Sequence, residues 1–412
     1  MAGEADALPL IALVDASSKM AGVEFSTLYL AQHLDRSRFR VVVVCPEEGD
    51  LPERCRAAGI DVVIEPAPRF IPTGIEIGRA YIPNPLSWVV NPLLLIGLAR
   101  RHAALYRRLD AALICTKGVF AHLYGALAAE IAGRPAVIHM QDLLANPLYI
   151  RAFGMFARLA RRIIADGAPI RDQLAPFVGA ERIDLIYNGV DLEQFSAAVS
   201  GAGVRAEWGV DSDAILIGNA ARLTAWKGQD VLLKAFIRIA PDYPRAKLAL
   251  IGSPVFYGDA FEAALRRLAA ESGLADRIIF AGFRWDLPQV LAALDIFVYP
   301  SIKKDTSPLS LVSALASGLP IAASDVGGVA ELLTHERDGL IVPAADVDAL
   351  VVALRRMLDD PDLRKRLGAA ARQTAERSLS LSAFARRCES VFERASAAET
   401  KQKAAKPSAG QQ

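Results

Sequence analysis

Residues 300–333 read PSIKKDTSPLSLVSALASGLPIAASDVGGVAELL. They follow the apolar run Ile296–Tyr299 and divide into a polar loop, a helix of small residues, a short strand at Pro320–Ala323 and a glycine turn at Gly327–Gly328. Strand, helix, strand in immediate succession is the βαβ unit of a parallel sheet. The small residues Ser313, Ala314, Ala316, Ser317 and Gly318 permit close approach within that unit.

The alternation extends in both directions. Further strands are predicted near Ile215–Gly218, Lys247–Ile251, Ile278–Ala281 and Leu340–Val342. In the first half they fall near Leu10–Val14, Val41–Cys45, Val62–Glu65, Ala112–Cys115, Ala136–Met140, Ile163–Ala165 and Ile183–Tyr187. Helical spacing of apolar residues predicts helices between them, as at Asp230–Ile239, Phe261–Ser272 and Ala345–Leu358. The class is therefore α/β. Two such series meet near Asp191–Asp211, where DLEQFSAAVSGAGVRAEWGV is poorly periodic, as a linker would be. A chain of 412 residues exceeds the size at which single cores stop growing. The expected domains are 1–190 and 191–379, with a last helix over 380–396 presenting Phe384, Cys388, Val391 and Phe392 on one face. Residues 397–412 have nothing to bury and are expected to be disordered.

The apolar fraction of 53% supplies two cores, and a formal net charge of +1 gives no global reason to expect nucleic acid or an acidic partner. The amino terminus carries acidic residues ahead of its apolar run, the wrong charge order for a secretory signal. The four cysteines are scattered without metal-ligand spacing, and three of them, in or after apolar or helical runs, read as small core residues of a reducing compartment. One stretch departs from the soluble pattern. AYIPNPLSWVVNPLLLIGLA, Ala80 to Ala99, has no charge, but Pro83, Pro85, Pro92, Asn84 and Asn91 interrupt it. It reads as a buried loop-and-helix segment in preference to a membrane span, with a surface-seeking element as the case between them. Between Arg79 and Arg171 there are twelve Lys/Arg against four Asp/Glu, so this region is either a set of solvated helix faces or a basic face for anionic lipid or a phosphate-bearing molecule.

In open α/β sheets, ligands bind beyond the carboxyl ends of the strands. After the first strand, DASSKMAGVEFSTLYLA places Gly22 just before a helix whose first amides suit an anion. After Ile215–Gly218, NAARLTAWKGQDVLLKAF brackets a tight turn with Arg222 and Lys227, two cations suited to a diphosphate. Cations oppose the dipole of a helix start, so a purely structural use is disfavoured. The loop Asp305–Ser310 and the turn Gly327–Gly328 are expected to face the same cleft. His33, His102, His122 and His335 show no ligand spacing, and Asp211–Ser212–Asp213 reads as a turn, so no metal site is expected.

In order and spacing, these segments resemble the family 4 retaining glycosyltransferases of the GT-B fold over nearly the whole chain. AGVE (Ala21–Glu24) resembles the family's GGxE loop, VIHMQD (Val137–Asp142) its strand ending in a histidine, and YNGVDLEQF (Tyr187–Phe195) its NGVDxxxF segment. ARLTAWKGQDVLLKAF is similar to GRLxxxKGxxxLIxAF, and SGLPIAASDVGGVAEL to CGxPVVATDVGGxxEL. The resemblance implies two facing, doubly wound Rossmann-like domains with a cleft between them and a C-terminal helix crossing back. It implies transfer of a sugar from a nucleotide-diphosphate sugar to a hydroxyl acceptor with retention, without metal or other cofactor. His139 would contact the donor sugar and Asp305 would lie against it. Arg222 and Lys227 would hold the diphosphate, and Gly22, Asn188, Ser307, Leu309, Ser310, Ser313, Gly327 and Gly328 would line the donor site.

The family's acidic signature is two glutamates seven residues apart, which fall here on Asp305 and Ser313. Ser313 offers one neutral hydrogen bond where a carboxylate accepts two charge-assisted ones from the nucleotide ribose. Ala21 replaces the first loop glycine, a strained exchange if that position needs φ > 0. Two other readings remain: a nucleotide-sugar epimerase, which needs acid–base residues around the sugar, and a catalytically impaired subunit of a polysaccharide assembly system, which Ser313 favours. The uncharged stretch and basic excess lie in the domain expected to bind the acceptor. They suggest a lipid-linked acceptor in cell-surface glycan synthesis and a cytoplasmic protein with peripheral contact to an anionic membrane.

Overall fold

The computed structural model describes residues 8–72, 74–77, 80–254 and 259–404. Two compact units result: Met1–Asp166, Ile170–Ile186 and Phe384–Gln412 form one, Gly167–Pro169 and Tyr187–Ala383 the other.

The first unit alternates strongly. Its elements are β1 (Leu10–Asp15), α1 (Gly22–His33), β2 (Arg40–Cys45), α2 (Asp50–Ala57), β3 (Asp61–Ile64), β4 (Gly74–Ile77), β5 (Ala80–Pro83), α3 (Pro85–Arg108), β6 (Ala111–Lys117), α4 (Val119–Ala132), β7 (Ala136–Met140), α5 (Pro147–Ala157), β8 (Arg162–Ala165), α6 (Ala168–Val178) and β9 (Ile183–Leu185). Seven strands form one parallel sheet in the order β3-β2-β1-β6-β7-β8-β9. Every side chain of β1, LIALVD, is buried, as expected of a strand covered on both faces. Alternate residues feed two cores. Ala12, Val14, Ile114 and Ile138 pack with α3, α4 and α5, whereas Ile11, Leu13, Val43 and Val137 pack with α1 and α2.

The second unit continues with α7 (Ala202–Glu207), β10 (Ile215–Ala220), α8 (Gln229–Ile239), β11 (Ala246–Ile251), α9 (Ala260–Glu271), β12 (Ile278–Gly282), α10 (Leu287–Ala293), β13 (Ile296–Tyr299), α11 (Leu309–Ala316), β14 (Ile321–Ser324), α12 (Val329–Leu332), β15 (Leu340–Val342), α13 (Val347–Asp359) and α14 (Pro361–Ser378). Its parallel sheet has the order β12-β11-β10-β13-β14-β15. Asp346 and Asp360 cap α13 and α14 by accepting the N–H groups of Ala349 and Leu363 at 2.9 and 2.8 Å.

The last helix, α15 (Leu381–Ala404), returns the chain to the first unit. Phe384, Cys388, Val391 and Phe392 are buried in the core beneath α1 and α2, and truncating either phenylalanine to alanine is worth about 3–5 kcal/mol. All four cysteines are buried and unpaired, one more than the three whose apolar settings suggested it.

Two expectations need correction, and one element is new. The final helix does not stop at residue 396 but runs to Ala404, because ETKQKA favours helix without needing a core; residues 405–412 lie outside the described ones. The antiparallel pair β4–β5 was not foreseen. The uncharged stretch is buried only in part: Asn84 caps α3 by accepting the N–H of Leu86 at 3.2 Å, Pro85 opens it, Ser87, Leu98 and Ala99 are buried, and Leu86, Trp88, Val89 and Leu93 face outward. Asn91 exchanges two hydrogen bonds with the backbone of Ile71, both 2.9 Å, which anchors α3 beside Pro92.

Candidate functional site

Both parallel sheets reverse their strand order once, between β1 and β6 and between β10 and β13. At such a reversal adjacent crossovers leave to opposite faces, opening a crevice at the carboxyl ends of the two strands.

In the second unit, the loop leaving β10 carries Arg222 and Lys227, and the loop leaving β13 carries Asp305. The two loops are joined directly. Ile302 donates its N–H to the carbonyl of Trp226 at 2.9 Å, and the Ser301 hydroxyl reaches the same oxygen at 3.1 Å. Gly228 makes this approach possible: its φ is +70°, and a Cβ there would stand 1.9 Å from the carbonyl oxygen of Pro300. The Lys227 ammonium forms an ion pair with Asp305 and donates to the Tyr299 hydroxyl at 2.6 Å, and that hydroxyl donates to Asp305. Side-chain exposures of 12% for Lys227 and 15% for Asp305 leave the pair largely buried.

Burial alone would raise the Asp305 carboxyl, but the Lys227 charge and the bonds from Lys227 and Tyr299 hold it below the usual carboxylate range. Burial draws the Lys227 ammonium below its ordinary value, against the pull of Asp305, and the nearby Arg222 charge adds to the lowering. The structure thus brings Arg222 and Lys227 together, with one charge compensated by Asp305 and both at the strand-order reversal. It also gives Asp305 a role sequence reading did not: it is Lys227's partner.

The loop leaving β14 closes the group. Gly328 donates its N–H to the carbonyl of Asp305 at 2.7 Å, and a Cβ on Gly327 or Gly328 would stand 2.1 or 2.2 Å from the carbonyl oxygens of Asp305 and Thr306. These glycines are therefore needed for one loop to lie on another, whatever binds there. Leu309 and Ser310 occupy the first turn of α11, whose amino terminus has no side-chain cap, so its amides are available to an anion. Ser313 is buried one turn further along. Asn188 is committed elsewhere than expected: its side chain donates to the Ser307 carbonyl at 2.8 Å and its backbone N–H to the Ser307 hydroxyl at 2.9 Å. It latches the start of the unit to the β13 loop. Glu331 accepts from the Tyr187 hydroxyl at 2.6 Å.

In the first unit the reversal places Asp15 and Lys117 opposite each other as register partners. Both are buried. Thr27 donates to Asp15 at 2.5 Å, and the Lys117 ammonium donates to the Ser26 hydroxyl at 3.0 Å. Burial, tempered by Thr27 and by the Lys117 charge, pushes the Asp15 carboxyl up to about 6. Gly22 opens α1 with free space at its Cβ position, and Glu24 accepts the Ala21 N–H at 3.0 Å. Burial first, then the Asp15 charge, push Glu24 up to about 8. Ala21 has φ −142°, so its place in the loop carries no strain, contrary to the concern its methyl raised.

His139 ends up fully enclosed near the end of β7, its ring 6.0 Å from that of Phe384. Neither ring nitrogen has a hydrogen-bond partner among the described residues, and burial, with the Lys117 charge, keeps the imidazole neutral. Contact with a donor sugar requires an accessible ring, and α15 covers this one. Sequence reading ended β1 and β6 too early and so missed Asp15 and Lys117. A charged residue at the last position of an otherwise apolar strand was the available signal.

Comparison with known proteins agrees with this architecture. Residues 203–374 match the family described as "Glycosyl transferases group 1", and residues 20–194 match "Glycosyltransferase Family 4". The chain belongs to the family 4 glycosyltransferases, with the two Rossmann-like units of the GT-B fold. Among its relatives is the lipopolysaccharide core biosynthesis mannosyltransferase LpsB of Rhizobium meliloti (strain 1021), 34% identical over 45% of this chain and 52% of that one. The chain spans about half the length of the first curated relatives it matches. A UDP-Gal:alpha-D-GlcNAc-diphosphoundecaprenol alpha-1,3-galactosyltransferase of Escherichia coli is 25% identical over 85% of this chain and 88% of its own. In fold, Anabaena HepE, solved in complex with UDP and glucose, superposes with a TM-score of 0.79 over 93% of this chain and 99% of that one, at 23% identity.

Proposed function

We propose that this protein transfers a sugar from a nucleotide-diphosphate sugar to a hydroxyl acceptor with retention of anomeric configuration and without a metal. The observation that carries the reading is the meeting of Arg222 and Lys227, steadied by Asp305 and Tyr299, at the strand-order reversal of the second unit. A diphosphate held there gains two cations and the uncapped amides of α11, all positioned before any ligand arrives.

Cleavage of the bond between the anomeric carbon and the phosphate oxygen leaves its electron pair on the diphosphate. Preorganised cations and amides stabilise that charge as it develops. The acceptor oxygen bonds to the anomeric carbon on the face the phosphate leaves, and its proton passes to the departing phosphate oxygen. Asp305 keeps the Lys227 ammonium in place and charged. His139 is enclosed and is given no step. Ser313 leaves the ribose with fewer charge-assisted bonds than a carboxylate would supply, so nucleotide affinity is expected to be modest.

The relatives named for lipopolysaccharide core biosynthesis and for a diphosphoundecaprenol acceptor support a lipid-linked acceptor. The test is the anomeric proton signal of the product formed from each nucleotide sugar by nuclear magnetic resonance. A product with the donor's configuration, absent in Lys227→Met, supports the reading; an inverted product overturns it.

A further inference from the structure

The outer faces of α3 and α5 share a pattern that sugar transfer does not use. Both helices open with Asn-Pro-Leu: Asn84 and Asn146 cap them by accepting the N–H groups of Leu86 and Leu148, with Pro85 and Pro147 in the first turn. Rigid starts of this kind fix which side chains face out. On α3 these are Leu86, Trp88, Val89 and Leu93, with Trp88 69% and Leu93 65% exposed. On α5 they are Leu148, Tyr149 and Met155, with Leu148 73% exposed. Scattered apolar residues on a surface need no explanation, but rows at helical spacing on two helices do.

Both helices cover the same face of the first sheet, packing with α4 into one core. α5 begins just past the carboxyl end of β7, and α3 ends just before the amino end of β6, so both helices start at the carboxyl edge of the sheet. That edge also carries Asp15 and Lys117. Neither helix contains Asp or Glu, and no helix among the described residues is long and apolar enough to cross a membrane. Arg100 on α3 and Arg151 on α5 are exposed and make no hydrogen bond or ion pair among the described residues.

We propose that these two faces form a docking surface for an anionic phospholipid bilayer. Leu86, Trp88, Leu93, Leu148 and Tyr149 enter the headgroup boundary while Arg100 and Arg151 meet lipid phosphate. Apolar side chains beside unneutralised cations fit that occupant by charge. A second copy of the same face would set arginines near arginines with no carboxylate on either helix to offset them. The inference stands on the two helices and holds whether or not the chain transfers a sugar.

The experiment is flotation of the full chain with vesicles of phosphatidylcholine, with and without phosphatidylglycerol, at low and high salt. The wild-type chain is expected to float with the anionic vesicles at low salt, and less so at high salt. Trp88→Ser with Leu93→Ser removes two inserting side chains and should weaken binding about 100-fold. Arg100→Gln with Arg151→Gln should abolish the preference for phosphatidylglycerol. These side chains are exposed, so an unchanged melting temperature checks that the variants fold. A chain that stays at the bottom of the gradient, or a serine variant that floats as well as wild type, overturns the proposal. So does a concentration-dependent dimer that the serine substitutions break without any vesicle binding, since it assigns the face to a second copy.

Discussion

Glu24 lies at the start of α1, buried, with its carboxyl accepting the Ala21 N–H at 3.0 Å and the Asp15 charge close by. Replacing it by glutamine keeps the size and the accepting oxygen but removes the ionisation. The carboxyl ordinarily titrates at 4.5 and here is pushed up to about 8, first by burial and then by Asp15. A raised carboxyl penalises the folded state as it ionises. The penalty is absent below 4.5, grows as pH rises to about 8, and is complete above that. At about 1.4 kcal/mol per pH unit, the ceiling is roughly 5 kcal/mol. Asp15, itself pushed up to about 6, shares the same repulsion, so about half of that, ~2–3 kcal/mol, is expected from Glu24→Gln alone. Urea unfolding of both proteins at about pH 5 and about pH 8.5 measures it. The variant should match wild type in acid and exceed it in base. Equal stabilities at the higher pH, or a gap that widens toward acid, would refute the reasoning. The consequence for binding is direct: near neutrality a protonated Glu24 leaves the amides of α1 without a competing anion.

Other consequences can be checked with single variants. Gly228→Ala forces a methyl onto the carbonyl oxygen of Pro300 at a φ of +70°, so it should cost well over ~1 kcal/mol in thermal or urea unfolding and loosen nucleotide binding together with stability. If Ser313 faces a nucleotide ribose as proposed, Ser313→Glu adds a carboxylate there and should tighten nucleotide diphosphate binding about tenfold by calorimetry. Asp305→Asn leaves the Lys227 ammonium without its counter-charge; the ligand-free protein should lose about 3 kcal/mol in urea unfolding, and nucleotide diphosphate should recover part of the loss.

Parallel strands buried on both faces are long apolar runs between helices of 3.6-residue period, and those signals are local, so β1, β2, β10, β11 and β13 were legible to within a residue or two. The β4–β5 pair was not, because each strand is only four residues long and β5 runs into the proline-interrupted stretch that follows it. The outward face of α3 was misjudged for a related reason: an apolar helix looks the same in sequence whether a core or nothing covers it. At the site, the cations were legible as residues against a helix dipole. Their partners were not, since Tyr299 and Asp305 meet Lys227 only after β10 and β13 become neighbours. The commitment of Asn188 to Ser307 was invisible for the same reason. His139 was placed correctly at a strand end, but its enclosure was not legible, since Phe384, whose ring lies beside it, is far away in the chain.

The central claim is that Arg222 and Lys227 form a diphosphate site. Calorimetric titration of the purified chain with UDP, GDP and ADP and their sugars, without added metal, tests it most directly, with Lys227→Met alongside. One nucleotide series should bind the wild-type chain, and the variant should bind it about 100-fold more weakly. Failure of every nucleotide to bind, or equal binding by Lys227→Met, would contradict the account.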